Sequence, residues 1–403
     1  MKKHIQASTS KALLLAKRVN KNQAIAMSAV AIFAIFGVIM IVQSQAATYS
    51  KAQEAESGNA AGNYSEVADA GASGGKYIKF GGGGGTTPPP STDPERTDWN
   101  CGGSFSGPVG GEIQPKPTGN VVNAGGDPSS AINSAGPGDV VVVPPGSYGS
   151  LSVNGDGAAN NCITIIGDGG MAVFSGITVR GSYIRFINIS SKGSGSYGWN
   201  LDNTNHLTLA NVKVEGSNDG GINFPSSSFN LIDGCDVDHT NGGPGSSGEG
   251  EAISVADGTT DSEVRYCKVH DSGEEGIDVK YSNNKTTNVK VHHNEVFGNG
   301  GPNIYIDGVN GVKVYNNKVY GATKDSKSGI MLGCESEWAP SSPSQNIEIY
   351  NNEIHDNAAA GISVYDGGCG IAHINVHDNV LSGGDDLDLG GASDVQESNN
   401  TIN

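Results

Sequence analysis

Apolar and polar residues alternate in short runs along most of this chain, and residues 273–308 show the pattern most clearly. Residues 277–280 (IDVK) alternate over four positions, as expected for a strand with one buried face. A loop, a second alternating run at 289–291 and a turn at 293–294 follow. The alternation restarts at 304–307. These residues therefore predict one coil of a repeating β structure and the first strand of the next coil.

The period of the repeat can be counted at the turn that follows the second run. Asparagine occupies this turn in the later coils, and cysteine, valine or isoleucine occupies it in the earlier ones. The turn residues are, in chain order, Ile187, Val212, Cys235, Cys267, Asn294, Asn317, Asn352, Asn379 and Asn400. Successive steps are 25, 23, 32, 27, 23, 35, 27 and 21 residues, a period in the low twenties with loop insertions.

A period of this length, made of short β runs and Gly or Asn turns, predicts an all-β fold: a single-stranded parallel β-helix of about ten or more coils. Equivalent residues of neighbouring coils then lie one strand spacing apart, roughly 4.8 Å. We expect aliphatic columns inside and hydrogen bonds along the asparagine column, whose role we interpret as structural because asparagine tolerates unusual turn angles.

The chain divides into four segments by composition. Residues 1–23 are basic and predicted to be cytoplasmic, and residues 24–45 contain an apolar run long enough for a transmembrane signal anchor or a signal peptide. Residues 46–98 read as a stalk with a Gly/Pro linker, and residues 99–403 as the β-helix domain. We therefore expect an extracellular protein, either anchored in the membrane or secreted.

The formal net charge is −18, and because the first 46 residues are basic, the remainder carries −24. This charge disfavours a nucleic-acid partner, since no basic patch is present to neutralise phosphates. It is compatible with an acidic, soluble surface or with binding of divalent cations. We expect a monomer.

All six cysteines follow the apolar run, on the side where disulfides persist. Cys235 and Cys267 occupy equivalent turn positions, so they form either a disulfide or two buried thiols of one interior column. Disulfides between Cys334 and Cys369 and between Cys101 and the remaining Cys162 would tie two loops and close the start of the domain. No spacing is typical of a zinc site.

The segment AINSAGPGDVVVVPPGSYG, at residues 131–149, resembles the start of right-handed β-helix proteins of the pectate-lyase-like superfamily. The resemblance extends from about residue 120 to the last residue of the chain. It implies a short N-terminal cap helix, a right-handed winding and a substrate groove over the sheet formed by the first strand of each coil. The superfamily also contains hydrolases, epimerases and non-catalytic surface proteins, so it implies a fold more specifically than an activity. Part of the predicted stalk, at residues 47–80, similarly resembles a fragment of carbohydrate-binding β-sandwich modules, but it is too short to be a whole module.

Charged residues concentrate on the outward positions of the first strands and in their flanking loops. The predicted outward pairs are Asn200 and Asp202, Asn223 and Pro225, Ser254 and Ala256, Asp278 and Lys280, Tyr305 and Asp307, Met331 and Gly333, Ser363 and Tyr365, and Asp388 and Gly390. Lys280 is the only Lys or Arg among them. Flanking loops add Glu249, Glu251, Glu274, Glu275, Asp257, Glu335, Glu337 and Asp366.

This combination resembles calcium-dependent lyases that use a lysine base to remove the proton next to a uronate carboxylate. On that resemblance Lys280 and Asp278 are the candidate catalytic residues. Calcium, which prefers oxygen ligands, is expected among Asp257, Glu274, Glu275, Asp278 and Asp307. An acidic polysaccharide or cell-surface glycan is the expected partner, with candidate contacts at Tyr305, Trp338, Tyr365 and Glu335.

Other interpretations remain open. The Lys280 region could be a purely structural Lys–Asp ladder, and the protein a non-catalytic glycan-binding or adhesion protein. A β-helix glycoside hydrolase would need two carboxylates facing each other across a gap. The paired-Asp and Gly-His-Gly motifs of β-helix polygalacturonases and the Asp-Pro-His signature of alginate epimerases are absent.

Overall fold

The structure is a computed structural model and describes residues 64–68, 76–80, 97–102, 118–168, 170–243, 250–281, 284–337 and 343–403. Two compact units are distinguished, Met1–Thr86 and Thr87–Asn403. In the first unit, Tyr64–Ala68 and Lys76–Phe80 form an antiparallel pair of strands. The predicted basic segment and membrane segment (1–23 and 24–45) lie outside the described residues. Within the described residues, no helix is both long and apolar enough to cross a membrane.

The second unit is a single-stranded right-handed parallel β-helix, as predicted, and the described residues form three long sheets. The first sheet contains Leu151–Val153, Ile177–Val179, Trp199–Leu201, Ile222–Pro225, Ile253–Ala256, Ile277–Lys280, Ile304–Asp307, Ile330–Glu335, Ile362–Gly367 and Leu387–Asp388. The second sheet contains Val121–Asn123, Val140–Val143, Ile163–Gly167, Ser182–Ile187, Asn205–Ala210, Leu231–Asp233, Glu263–Arg265, Thr287–His292, Asn310–Tyr315, Ser344–Tyr350, Ile371–His377 and Ser393–Ser398. The third sheet contains Gly146–Tyr148, Ala172–Phe174, Ile189–Lys192, Lys213–Glu215, Asp236–Asp238, Lys268–His270, Glu295–Phe297, Lys318–Tyr320, Glu353–His355, Val380–Ser382 and Thr401–Ile402.

Each full coil supplies one strand to each sheet in turn, so every strand pairs with the equivalent strand one coil away. Side chains that alternate along the sequence therefore point alternately into the solenoid and out towards solvent. Ile253, Ile277 and Ile304, for example, stack directly on one another and are buried. The apolar columns fill the interior and form one continuous core along the helix.

A short helix, Pro128–Ser134, caps the N-terminal end, as the resemblance implied. Its N-cap Asp127 accepts a hydrogen bond from the Ser129 backbone N–H, and Pro128 occupies the first turn, where no N–H donor is needed. Ile132 on this helix is buried in the core. A single 3₁₀ turn at Thr240–Gly242 is the other helical element that the structure describes.

The asparagine column lies at the turn between the second and third sheets and is hydrogen-bonded along the stack. The amide of Asn317 donates to Oδ1 of Asn352 at 3.0 Å, and that of Asn352 donates to Asn379 at 2.9 Å. The same oxygens also accept backbone N–H groups of the neighbouring coil. The structural role predicted for these residues is consistent with this ladder.

All three cysteine pairings are disulfides in the structure: Cys101–Cys162, Cys235–Cys267 and Cys334–Cys369. The alternative of two buried thiols at Cys235 and Cys267 is thereby excluded. The Cys101 disulfide holds the segment Thr97–Gly102, which we call the strap, against the second sheet. The predicted domain boundary at residue 99 falls within this strap.

Candidate functional site

Outward residues of the first sheet form two columns in the predicted register. The first column contains Asn200, Asn223, Ser254, Asp278, Tyr305, Met331, Ser363 and Asp388. The second column passes from Lys280 to Asp307, Gly333 and Tyr365. Period-2 alternation and coil stacking together place Asp278 and Lys280 on the same outer face, beside Tyr305 and Asp307 of the next coil.

Lys280 lies among carboxylates. Its Nζ donates to Oε1 of Glu251 and lies 3.5 Å from Oδ2 of Asp278. The side chain is 27% exposed, so part of it remains accessible to solvent. Burial alone would lower the pKa of Lys280, but the negative charges of Asp278 and Glu251 outweigh it and raise the pKa. By itself, the folded chain therefore holds Lys280 in its protonated form.

Asp278 is the most buried acid of this group, at 2% exposure. Its Oδ1 has no hydrogen-bond partner among the described residues. Burial, together with the charges of Glu251, Glu275 and Asp307, raises the pKa of Asp278 well above its ordinary value, although Lys280 opposes the shift. A buried carboxylate oxygen without a partner is costly, which makes it a candidate for a proton or a cation.

The next coil adds a hydrogen-bonded group of three side chains. The Tyr305 hydroxyl donates to Oε1 of Glu335 at 2.9 Å, and the Glu335 backbone N–H donates to Oδ1 of Asp307 at 3.2 Å. Burial and the Glu335 charge raise the pKa of Asp307 to about 6. The Tyr305 ring lies against Gly333, where any Cβ would collide with it. Because only 7% of Tyr305 is exposed, the ring has little open surface for stacking on a sugar.

The remaining predicted glycan contacts have different surroundings. Tyr365 is 52% exposed, in line with Lys280 and Asp307, so its ring is accessible on this face. Trp338 lies outside the described residues. Of the predicted contacts, therefore, Tyr305 and Glu335 lie together beside Asp307, and Tyr365 is the exposed ring.

The structure does not gather all five predicted calcium ligands. Glu274 pairs with Lys324, and Asp257 accepts hydrogen bonds from Ser226 (3.0 Å) and Asn284 (3.3 Å) in a surface turn. No three of the five predicted ligands have carboxylate oxygens all within 4.8 Å of one another. Three of the five still interact electrostatically, because the charges of Glu275 and Asp307 both raise the pKa of Asp278.

One set of His and Asp side chains in the described residues does converge to that distance, and it lies on the third sheet. It consists of Asp236, Asp238 and His270. Lys213 already lies 3.6 Å from Asp236 and 3.4 Å from Asp238, so an ammonium group neutralises the two carboxylates. We therefore assign this set to surface ion pairing.

Glu251 was predicted to lie in a loop beside the first sheet, but it was not among the predicted site residues. The Gly221 N–H donates to the Glu251 carbonyl, and the Ala252 N–H donates to the Glu275 carbonyl, so the two glutamates occupy equivalent positions in adjacent coils. Counting back two residues from the first strand of each coil would have identified the pair. The direct contact with Lys280 depends on side-chain direction, which that count does not supply.

The raised pKa of Asp307 predicts a pH-dependent stability that can be measured in EDTA. An unfolded Asp has a pKa of about 3.9, so the folded state holds its proton more tightly, and stability is lost as pH rises from about 4 to about 6. Asp307→Asn keeps an acceptor for the Glu335 N–H and never ionises. We expect this variant to match the unmodified protein at about pH 4 and to be more stable by about 3 kcal/mol at about pH 7.5.

Chemical denaturation at the two pH values measures this difference. Asp257→Asn, in its surface turn, is the matched control and should not reproduce the gain in stability at about pH 7.5. An Asp307→Asn variant with the same pH slope as the unmodified protein would contradict the predicted ionisation of Asp307.

Comparison with known proteins agrees with the fold. An alginate lyase from Paenibacillus sp. str. FPU-7 is similar in structure, with a TM-score of 0.50 and 20% identity over 70% of this chain and 99% of that one. Pectate lyase Pel9A is similar with a TM-score of 0.50 and 15% identity over 68% of this chain and 78% of that one. At these identities the likeness concerns the fold alone. Comparison with curated protein sequences gives no match.

A family model described as the right-handed beta helix region matches residues 152–300 and 245–402. The two matches together span most of the second unit and more than half of the chain. They cover the nine first-sheet strands from Ile177–Val179 to Leu387–Asp388. The chain belongs to the right-handed β-helix family.

Proposed function

We propose that this protein is a carbohydrate-active enzyme that cleaves a uronic-acid-containing polysaccharide by β-elimination, with Lys280 as the base. The observation that carries the proposal is the position of Lys280. Among the described residues it is the one ammonium on the outward columns of the first sheet, and carboxyl groups with raised pKa values lie around it. Perturbed titratable groups gathered on one face of a solenoid are typical of catalytic sites.

The residues present suit a calcium ion in part. The Asp278 oxygen without a partner would supply one ligand. Asp307 and Glu275 would supply others only after their side chains move, because the three carboxylates do not converge as they stand. Asp257 and Glu274 have partners of their own. When bound, the ion supplies positive charge that offsets these carboxylates and stabilises negative charge building up on the substrate. Because Lys280 is held protonated by Asp278 and Glu251, charge that neutralises those two acids favours the free amine.

Elimination then needs one proton acceptor for the substrate carbon and one proton donor for the leaving oxygen. The Lys280 amine takes the proton from the carbon next to the uronate carboxylate, and that electron pair forms the new carbon–carbon double bond. The neighbouring glycosidic carbon–oxygen bond breaks, and the departing oxygen takes a proton from water or from an acid of the cluster. Tyr365, exposed in the same column, is positioned to contact a neighbouring sugar ring.

The cellular setting completes the proposal. Residues 24–45 would export the chain and either anchor it in the membrane or be removed, so the β-helix would meet its polysaccharide outside the cell. This part rests on the sequence pattern and on the acidic charge of the exported residues.

The proposal is tested by incubating the full-length chain, in mild detergent, with polygalacturonate, alginate and glycosaminoglycans. Ultraviolet absorbance of the unsaturated uronate product should rise with calcium, disappear with EDTA and return when calcium is restored. New reducing ends without that absorbance would indicate hydrolysis instead. Neither signal with any acidic polysaccharide would overturn the enzymatic proposal in favour of glycan binding without catalysis.

A further inference from the structure

A cavity of about 340 Å³, shallow and open to solvent, lies on the outer face of the second sheet, away from the Lys280 columns. Its walls include two aromatic side chains, Trp99 of the strap and Phe229, and the polar residues Asp261, Ser262, Glu263, Asn288 and Lys290. Trp99 and Phe229 are each 41% exposed. With Tyr365 they are the exposed large aromatic side chains of the described residues, and two of the three share this one cavity.

The strap holds Trp99 in place through its neighbours. Asp98 is buried, with Oδ2 3.2 Å from Nη1 of Arg185 and Oδ1 accepting from the Thr208 hydroxyl at 2.8 Å. Asn100 donates its amide to the Phe229 carbonyl at 2.9 Å. The backbone on both sides of Trp99 is thus tied down while its ring is left partly in solvent. A ring on a fixed backbone can offer a binding surface at low entropic cost.

Phe229 is the last ring of an aromatic run in its column, after Tyr183 and His206 of the preceding coils. It has a positive φ of 53°, in a column of turn residues where the following coils have Asp261 at 51° and Asn288 at 53°. Asp and Asn tolerate this left-handed conformation, whereas a bulky phenylalanine is strained by it. Backbone preference therefore does not account for the aromatic ring.

The Phe229 ring has a stacked ring on only one of its two faces among the described residues. On one side, His206 stacks on it with ring centroids 4.8 Å apart. On the other side, the next position of the column is Asp261, which has no ring. Phe229 and Asp261 both line the cavity that Trp99 also lines.

We propose that this cavity binds a neutral saccharide unit, in contact with Trp99 and Phe229. Aromatic rings suit the apolar C–H face of a sugar, while Asp261, Asn288 and Lys290 offer acceptors and donors for its hydroxyl groups. Lys290 lies 3.8 Å from Glu263, and Arg265 also pairs with Glu263 at 2.7 Å. The Asp261 carboxylate is the remaining acid of the cavity wall and would repel a uronate, so the charges favour a neutral sugar. The site would hold a glycan independently of chemistry at Lys280.

The test uses isothermal titration calorimetry of the full-length chain with soluble cello-, manno- and xylo-oligosaccharides, and with oligogalacturonate as the acidic comparison. At least one neutral series should bind, and acrylamide quenching of tryptophan fluorescence should fall because Trp99 becomes covered. Trp199 is buried and should not contribute to the change. The measurement is made in a Trp338→Phe background, which removes the third tryptophan of the chain. No binding of any neutral series, or binding of oligogalacturonate alone, would overturn the proposal.

Phe229→Asn separates binding from folding. It places in the turn the residue found at the equivalent positions Asn288 and Asn346, so the melting temperature should be unchanged or higher. Affinity for the neutral oligosaccharide should fall at least about tenfold, as it should for Trp99→Ala. His373→Asn changes an exposed ring at the same type of turn outside the cavity and should bind normally. Equal affinity of Phe229→Asn and the unmodified protein would refute the site.

Discussion

Replacing Lys280 with alanine should lower the rate of polysaccharide elimination at least about 100-fold, because general-base catalysis typically contributes 10²- to 10⁴-fold. The fold should persist. Lys280 is on an outward position, and the core columns of its strand, Ile277 and Val279, are not touched. Asp278 loses its cationic partner, and because its pKa is already raised, it can take up a proton instead.

A functional base and a purely structural ammonium make different predictions for this variant. If the missing group is the base, a small primary amine added to the assay should restore part of the rate, and more so as pH rises. Lys313→Ala is the matched control, since Lys313 is exposed on the second sheet and paired with Glu348 at 2.7 Å. Activity of Lys280→Ala within tenfold of the unmodified protein would rule out Lys280 as the base.

Asn352→Ala should destabilise the β-helix by about 3–5 kcal/mol. The Asn352 side chain is buried and makes four hydrogen bonds. Its Oδ1 accepts from the backbone and side-chain N–H groups of Asn317, both at 3.0 Å. Its amide donates to the Val314 carbonyl at 3.0 Å and to Asn379 at 2.9 Å. Alanine removes all four and leaves buried donors on the neighbouring coil without partners, at about 1–3 kcal/mol each.

Asn400→Ala is the control for Asn352, because Asn400 ends the same column. Its Oδ1 also accepts from a neighbouring asparagine, Asn379, at 2.9 Å, but the site is only partly buried, so water can replace the lost bonds. We expect a loss of about 1 kcal/mol there. Denaturant unfolding of both variants measures the difference, and equal losses would show that burial of the ladder is not what makes Asn352 important.

Much of the candidate site could be predicted from the sequence, because a solenoid converts linear spacing into spatial order. Once the coils are aligned at their asparagine turn, the partner of Asp278 in the next coil has to be Tyr305, and that of Lys280 has to be Asp307. The degree of burial could not be predicted in this way. Tyr305 was expected to be a candidate glycan contact. In the structure its ring packs against Gly333 and its hydroxyl donates to Glu335.

The sequence also could not predict which candidate metal ligands lie together, because it does not give the direction of a side chain in a loop. Glu274 and Glu275 are adjacent in sequence and were both expected at the ion. In the structure Glu274 pairs with Lys324, whereas the charge of Glu275 acts on Asp278. Adjacent residues in a loop point in different directions, and only the packed loop decides which one joins the cluster.

By itself, the sequence determined the fold class, the course of the coils and the two outward columns around Lys280, since all three follow from periodicity and from the stacking of like on like. Tertiary structure alone decided which carboxylate contacts Lys280 and what surrounds Trp99. Asn100 of the strap meets Phe229 across 129 residues of sequence. No repeat relates these two segments, so their meeting depends on how the strap docks through Asp98, Arg185 and the Cys101 disulfide. Local patterns specify local geometry and its repetition, whereas contacts between unrelated segments arise from the packing of the whole chain.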